Sequence, residues 1–220
     1  MKREIITTGD GSVTIYLPEM KESYHSKFGA IREAYHVFIQ SGLALTKGQP
    51  IAVLEIGFGT GLNAFITYLE TVKTGQQIHY TGVEAYPVVS EESLQLNYVT
   101  ELNAEKQKED FEKMHTSDWG EPVVLSPDFT LTKRQQFFQD IDDNEVFDLI
   151  YFDAFGYHYQ PELWTVDIFK RMYASLKKEG ILVTYACRTV IKKAMIEAGF
   201  TVEKIAGPPG KREMLRAFKS

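Results

Sequence analysis

The stretch "IAVLEIGFGTGLN", residues 51–63, constrains the fold more than any other part of the 220-residue chain. Ile51–Ile56 reads as a buried strand, glycines follow at 57, 59 and 61, and a helical pattern runs from about Leu62 to Lys73. A strand that passes through a glycine turn directly into a helix is a typical opening for an α/β sheet. The alternation then continues. Ile78–Glu84 is a second strand candidate, Glu91–Asn103 and Ala104–Ser117 read as helices, and Phe129–Leu131 is a short third strand. "VFDLIYFDAF" forms a fourth, ending at Asp153; Leu163–Leu176 is an amphipathic helix, Gly180–Ala186 a fifth strand and Val190–Ala198 a helix. Phe200–Ile205 and Glu213–Phe218 read as two strands joined by the turn-rich "AGPPGKR". The expected fold is a Rossmann-like α/β domain with a mostly parallel seven-stranded sheet ending in an antiparallel hairpin. Residues 46–220 would form that domain. Residues 1–45, with a strand at Val13–Leu17 and a helix at Ile31–Leu43, would be an extension packed on the core and contributing to the active site.

Composition bounds the function classes. A hydrophobic fraction of 44% and a charged fraction of 25% suit a globular domain with one core. No run approaches the roughly 18 apolar residues of a membrane helix, and Met1–Asp10 lacks a signal-like apolar stretch, so no membrane association and a cytoplasmic location are expected. The single cysteine, Cys187, excludes an internal disulfide and lies in an apolar run that points to packing. His25, His36, His79, His115 and His158 have no metal-ligand spacing, and no metal is expected. The net charge of -6 is unevenly spread: residues 166–220 carry +7 and residues 1–165 carry -13. Such asymmetry fits either a polyanion-facing surface or solvated helix faces.

The glycine turn has the spacing G-x-G-x-G, with Glu55 two residues before its first glycine. Dinucleotide folds favour G-x-G-x-x-G with a pyrophosphate on the helix N-terminus. An acid in the turn would repel phosphate, whereas it can pair with the amino group of a phosphate-free cofactor. Glu84, ending the second strand, can accept hydrogen bonds from both ribose hydroxyls. Together these features favour S-adenosylmethionine over a nicotinamide dinucleotide. In the third strand, "FTLTKRQQFF" places Arg134 or Gln135 where an acid for the adenine amino group is expected, so that contact is made differently or the register is shifted.

Asp153 ends the fourth strand in "YFDAFGYHYQPELWT". A carboxylate there can hold an amine nucleophile and help remove its proton, while Phe155, Tyr157 or Trp164 line the pocket and stabilise positive charge. The alternatives are that Asp153 caps the helix entering at Pro161 and that the aromatics fill core.

Five separated stretches resemble one family: "YHSKFGAIREAYHVFI", "LEIGFGTGLN", "GVEAYP", "FDAFGYHYQPELWT" and "AGFTVEKIAGPPGKREMLRA". The chain resembles the tRNA 5-methylaminomethyl-2-thiouridine methyltransferases, the methyltransferase domain of the MnmC type or its single-domain MnmD form. The resemblance implies a class I S-adenosylmethionine-dependent methyltransferase. It would N-methylate the 5-aminomethyl group of (2-thio)uridine at tRNA wobble position 34. Asp153 would be the catalytic carboxylate. Glu55, Gly57, Gly59, Gly61, Asn63, Glu84, Asp153 and Phe155 would surround the cofactor. Tyr24, Gly29, Arg32 and Glu33 would lie near the substrate or cofactor pocket, and Tyr157 and Trp164 would line the substrate side. Lys211 and Arg212, with Arg216, Lys192, Lys193 and Arg188, would meet phosphates of the anticodon arm. The chain departs from the bifunctional form in having no room for an FAD-dependent oxidase domain, so no FAD is expected. It also carries Gly156-Tyr157-His158-Tyr159 where relatives are Ala-Pro-rich. The rival readings are an aminopropyltransferase of the spermidine synthase type, a small-molecule amine N-methyltransferase, and a non-catalytic RNA-binding subunit that keeps the fold.

Overall fold

The structure is a computed structural model that describes residues 2–220. An N-terminal antiparallel sheet of three short strands, β1 (Glu4–Thr7), β2 (Val13–Leu17) and β3 (Glu22–Ser23), leads into helix α1 (Ala30–Ala34) and a π-helical turn, Tyr35–Gln40. The core alternates as the sequence requires. Strand β4 (Ile51–Ile56), helix α2 (Leu62–Thr74) and strand β5 (Ile78–Glu84) match the expected bounds closely. Short helices α3 (Ser90–Ser93) and α4 (Tyr98–Glu101) precede α5 (Lys108–Thr116), strands β6 (Pro122–Ser126) and β7 (Phe129–Gln135), and β8 (Phe147–Phe152). Helix α6 (Val166–Ser175), β9 (Leu176–Thr184), α7 (Thr189–Glu197) and the hairpin β10 (Thr201–Ala206) and β11 (Glu213–Phe218) complete the chain.

The sheet has eight strands, not seven, in the order β10-β11-β9-β8-β4-β5-β7-β6. The five central strands are parallel, and antiparallel partners close both edges. The extra strand, β6, pairs with β7 through a bulge between Val124 and Ser126. Its proline and its exposed Val124 hide the usual strand pattern, as suits an edge. β7 also runs four residues past the expected Leu131, because Lys133 takes a buried position in the alternation. Its ammonium donates to the carbonyls of His115 (3.2 Å) and Ser117 (2.7 Å). The expected helix over 91–103 is split, since Asn97 turns its side chain to β2: its amide donates to Gly11 O (3.0 Å) and accepts from Val13 N–H (2.8 Å).

The period-2 alternation of the parallel strands divides the core by face. Ile51, Val53, Leu149, Tyr151, Ile181 and Val183 pack beneath α1 and α2. Leu54, Ile56, Ile150, Phe152 and Leu182 pack beneath α6 and α7. Among the described residues no helix is long and apolar enough to cross a membrane. Chain order runs outward from β4 through β5 to β7, then resumes on the other side at β8, so the sheet reverses direction between β4 and β8. Ligands of open α/β sheets bind outside the strand ends at such a point.

Candidate active site

The turn after β4 and the loop after β8 touch at this reversal. Asp153 N–H donates to Ile56 O at 2.9 Å. Gly57 has φ of +90°, and a Cβ built on it would lie 2.7 Å from the Asp153 carbonyl oxygen, so only glycine fits. Gly59 (φ +51°) is similarly constrained by the ring of Tyr24, 3.1 Å from its Cβ position. Over these turns lies a cleft of about 680 Å³, lined among others by Tyr24, Glu33, Asn63, Glu84, Asp153, Phe155, Tyr185 and Lys211. The volume suits a ligand of nucleoside size.

One end of the cleft is built around Glu84. Its Oε2 accepts from Gly59 N–H (3.1 Å) and its Oε1 from Tyr86 N–H (2.9 Å), which fixes the carboxylate with lone pairs to spare. Tyr86 and Phe137, both exposed and packed edge to face at 5.9 Å, wall this end together with Phe138 and Gln139. Arg134 is instead paired with Asp143 at 2.7 Å. The residues that face the cleft after the third parallel strand are therefore two to five positions later than the sequence placed them.

The other end is built around Asp153. Burial raises its carboxyl to about 7, the negative charge of Glu33 adds to this, and the Asn63 hydrogen bond and Lys211 oppose it. Asn63, on the first turn of α2, donates through one amide nitrogen to Asp153 Oδ2 (2.8 Å) and to Glu55 Oε1 (2.9 Å). Glu55 itself is fully buried and lies behind Asn63 rather than on the cleft wall, which corrects the expectation of a direct cofactor contact. Burial pushes its carboxyl well above the usual range, and Oε2 has no hydrogen-bond partner, so the protonated form is favoured. Lys211 pairs with Glu33, and its ammonium sits 4.0 Å from the centre of the Tyr185 ring. The sequence placed Lys211 on a phosphate; the structure turns it inward, where Glu33 neutralises it.

Six further expected residues, Gly29 among them, do not line the cleft. Trp164 is buried in the core, where its indole N–H donates to Phe155 O (2.8 Å) and so anchors the Asp153 loop. Tyr157 lies under the Arg188 guanidinium at 5.6 Å. Arg32 is exposed and donates to Phe28 O at 2.9 Å, and Arg212 is exposed on the β10–β11 turn. Gly61, the left-handed residue before α2, packs on His115. Tyr185, which no motif indicated, follows β9 and donates to Ala154 O at 2.8 Å. The strand-end rule, applied to that strand, would have found it. His25 also lines the cleft, and burial lowers it to about 4, leaving it neutral.

The charge of the cleft decides what fits. Glu22, Glu33, Glu84, Asp153 and Glu162 face Lys21, Lys27 and Lys211, with no arginine on the wall. An anionic pyrophosphate would find net repulsion, whereas a cationic sulfonium with a ribose and an amino-acid end finds carboxylates and a glycine cradle. The residues present therefore fit S-adenosylmethionine. Among the described residues no His, Cys, Asp and Glu cluster could hold a metal ion.

Fold and cleft together have the form of a Rossmann-like domain whose site fits S-adenosylmethionine. Residues 126–220 match the family described as S-adenosyl-L-methionine-dependent methyltransferase. The particular likeness is to tRNA 5-methylaminomethyl-2-thiouridine biosynthesis bifunctional proteins MnmC, which bears out the resemblance seen in the sequence. The protein of Burkholderia multivorans is 26% identical over 92% of this chain and 33% of its own length. That of Campylobacter fetus subsp. fetus is 28% identical over 95% of this chain and 34% of its own. The chain thus spans about a third of the length of these relatives. Among solved structures, MNMC2 from Aquifex aeolicus superposes with a TM-score of 0.73 at 23% identity, covering 98% of this chain and 70% of that one. Spermidine synthase from Thermotoga maritima gives 0.56 at 14% identity, covering 99% and 68%. Both likenesses concern the fold.

Proposed function

We propose that this chain transfers a methyl group from S-adenosylmethionine to the 5-aminomethyl group of (2-thio)uridine at the tRNA wobble position. The observation that carries the reading is the pairing of a nucleoside-sized cleft with an acidic far end whose carboxylate, Asp153, titrates near neutrality. When bound, S-adenosylmethionine supplies a methyl group activated for displacement by an amine. Glu84 holds the ribose hydroxyls, and the Gly57–Gly59 turn lets the backbone approach. Asp153 and Glu33 draw the acceptor's ammonium to the cleft floor. An ordinary carboxylate is a poor base for such a proton, but one raised to about 7 accepts it far more readily. The same two carboxylates would hold the free amine towards the methyl donor, whose displacement chemistry the cofactor would supply. Trp164 and Asn63 keep Asp153 in place, so alignment and deprotonation are the protein's contributions. The anticodon arm is the expected partner and the cytoplasm the expected location.

The test is methyl transfer from labelled S-adenosylmethionine to tRNA bearing 5-aminomethyluridine, beside a matched unmodified tRNA. Label on the first alone supports the reading. Label on neither, with cofactor binding confirmed by calorimetry, redirects the acidic cleft to polyamines and other small amines. Asp153→Asn is expected to keep cofactor affinity and lose about 10²- to 10⁴-fold in turnover. Wild-type turnover in that variant would remove Asp153 from the mechanism.

A further inference from the structure

Phe28, like Tyr86 and Phe137, is a large side chain that lines the cleft while remaining exposed, here to 61%. It projects at the Asp153 end, opposite the Tyr86–Phe137 pair that walls the Glu84 end. A lone exposed aromatic is ordinary on a surface, but one that lines a cleft offers its free face to whatever enters.

Its surroundings hold it in that position. Phe28 N–H donates to Ser26 Oγ at 3.2 Å, and its carbonyl accepts from Arg32 at 2.9 Å. The ring lies against Gly210 on the β10–β11 turn, so closely that a Cβ built there would sit 2.3 Å from Phe28 Cδ2. Gly210 has φ of +86°. The next residue, Lys211, reaches from the same turn to Glu33 and the Tyr185 face. Glycine therefore lets the turn close onto one side of the ring while the exposed area remains towards the cleft mouth. Lys27, adjacent in sequence, is exposed and also lines the cleft.

We propose that Phe28 is the platform on which the nucleobase of the methyl acceptor stacks. The idea rests on the RNA reading above and adds to it the residue that grips the base. A base splayed from a single-stranded loop exposes a π-face, and aromatic stacking is the general device for holding it. Stacked outside the floor, the base would direct a short aminomethyl arm inward to Asp153. A flexible polyamine has no π-face to stack and would meet this ring only through a cation–π contact.

The proposal is tested by steady-state kinetics on tRNA bearing 5-aminomethyluridine, with wild type, Phe28→Ala, Phe28→Trp and Gly210→Val. Loss of one stacking contact corresponds to roughly 5- to 150-fold, so KM for tRNA should rise by about tenfold or more in Phe28→Ala. Phe28→Trp should restore it, and Gly210→Val should raise it by displacing the ring. Affinity for S-adenosylhomocysteine should stay within twofold of wild type. The salt dependence of tRNA binding should keep its slope, because stacking releases no counterions. An unchanged KM in Phe28→Ala, while wild type methylates the tRNA, overturns the stacking role and leaves the methyl-transfer reading intact. A change in salt slope would make the segment a phosphate contact instead. Failure of wild type to label tRNA removes both readings at once.

Discussion

Asp153 shows how one carboxylate can serve chemistry at a cost in stability. Its folded value of about 7 exceeds the ordinary 3.8 because burial and Glu33 disfavour the charged form. As the proposed base it must be ionised, so kcat/KM should rise with pH through about 7. The amide of Asn63 favours the charged form, and Asn63→Ala should move this limb to higher pH; a pH-rate profile that does not move would show that Asn63 serves packing alone. The same shift acts on folding. Between 3.8 and 7 the folded chain retains a proton that the unfolded chain has released. This contribution to stability is complete below about 4 and is lost as pH rises through 7. Asp153→Asn should therefore raise the melting temperature at pH 8 relative to wild type and give no such gain at pH 4, as thermal unfolding would reveal. At this scale the sequence was partly legible. Asp153 and Glu84 stand at strand ends, where the fold rule looks for them. Glu55 has the right chemistry and position in the motif, but only α2 packed over β4 reveals that Asn63 intervenes. Trp164 was misread for the same reason: a residue's distance along the chain from Asp153 does not say which side of the loop it supports.

Whole elements were easier to read where apolar runs were unbroken. β4 and β5 follow from hydrophobic patterning, since burial on both faces leaves little choice of residue type, and the closing hairpin from its alternation and turn residues. β6 and the second half of β7 escaped because an edge strand tolerates proline and exposed valine, and because a lysine fills an inward position with its aliphatic stem. The glycine turn is the element on which the cleft depends. Gly57→Ala forces a side chain into a left-handed conformation and against the Asp153 carbonyl. Calorimetry with S-adenosylhomocysteine should show about a 5- to 150-fold loss of affinity, since a strained residue of this kind costs on the order of 1–3 kcal/mol, with the circular dichroism of the fold preserved. Retained affinity would mean that the turn can widen without penalty.

Over the whole molecule, the charge asymmetry read in the sequence is real but partly spent internally. Lys211 pairs with Glu33, Arg216 with Glu203 and Lys204 with Glu213, while the Lys219 ammonium donates to Leu176 O. Arg188, Lys192, Lys193 and Arg212 make no salt bridge among the described residues, and Arg188, Lys193 and Arg212 are exposed. Of the residues expected to meet phosphates, these and not Lys211 remain available to a polyanion. Replacing Lys193 and Arg212 by Glu should weaken tRNA binding and lower its salt slope by about 0.9 for each phosphate contact removed. Binding that keeps both affinity and slope would assign the basic surface to solvation.

The cleft wall draws on residues 21–28 and 33 near one end of the sequence and on 210–211 near the other. Synthesis proceeds from the first of these towards the second. A nascent chain that has just released β8 from the ribosome already possesses both glycine-turn contacts and Glu84, yet it lacks Tyr185, Gly210 and Lys211. The side that would greet the acceptor already holds Phe28, Glu33 and Asp153 from earlier in the chain, so the β10–β11 turn supplies the last wall of one cleft and not a separate half.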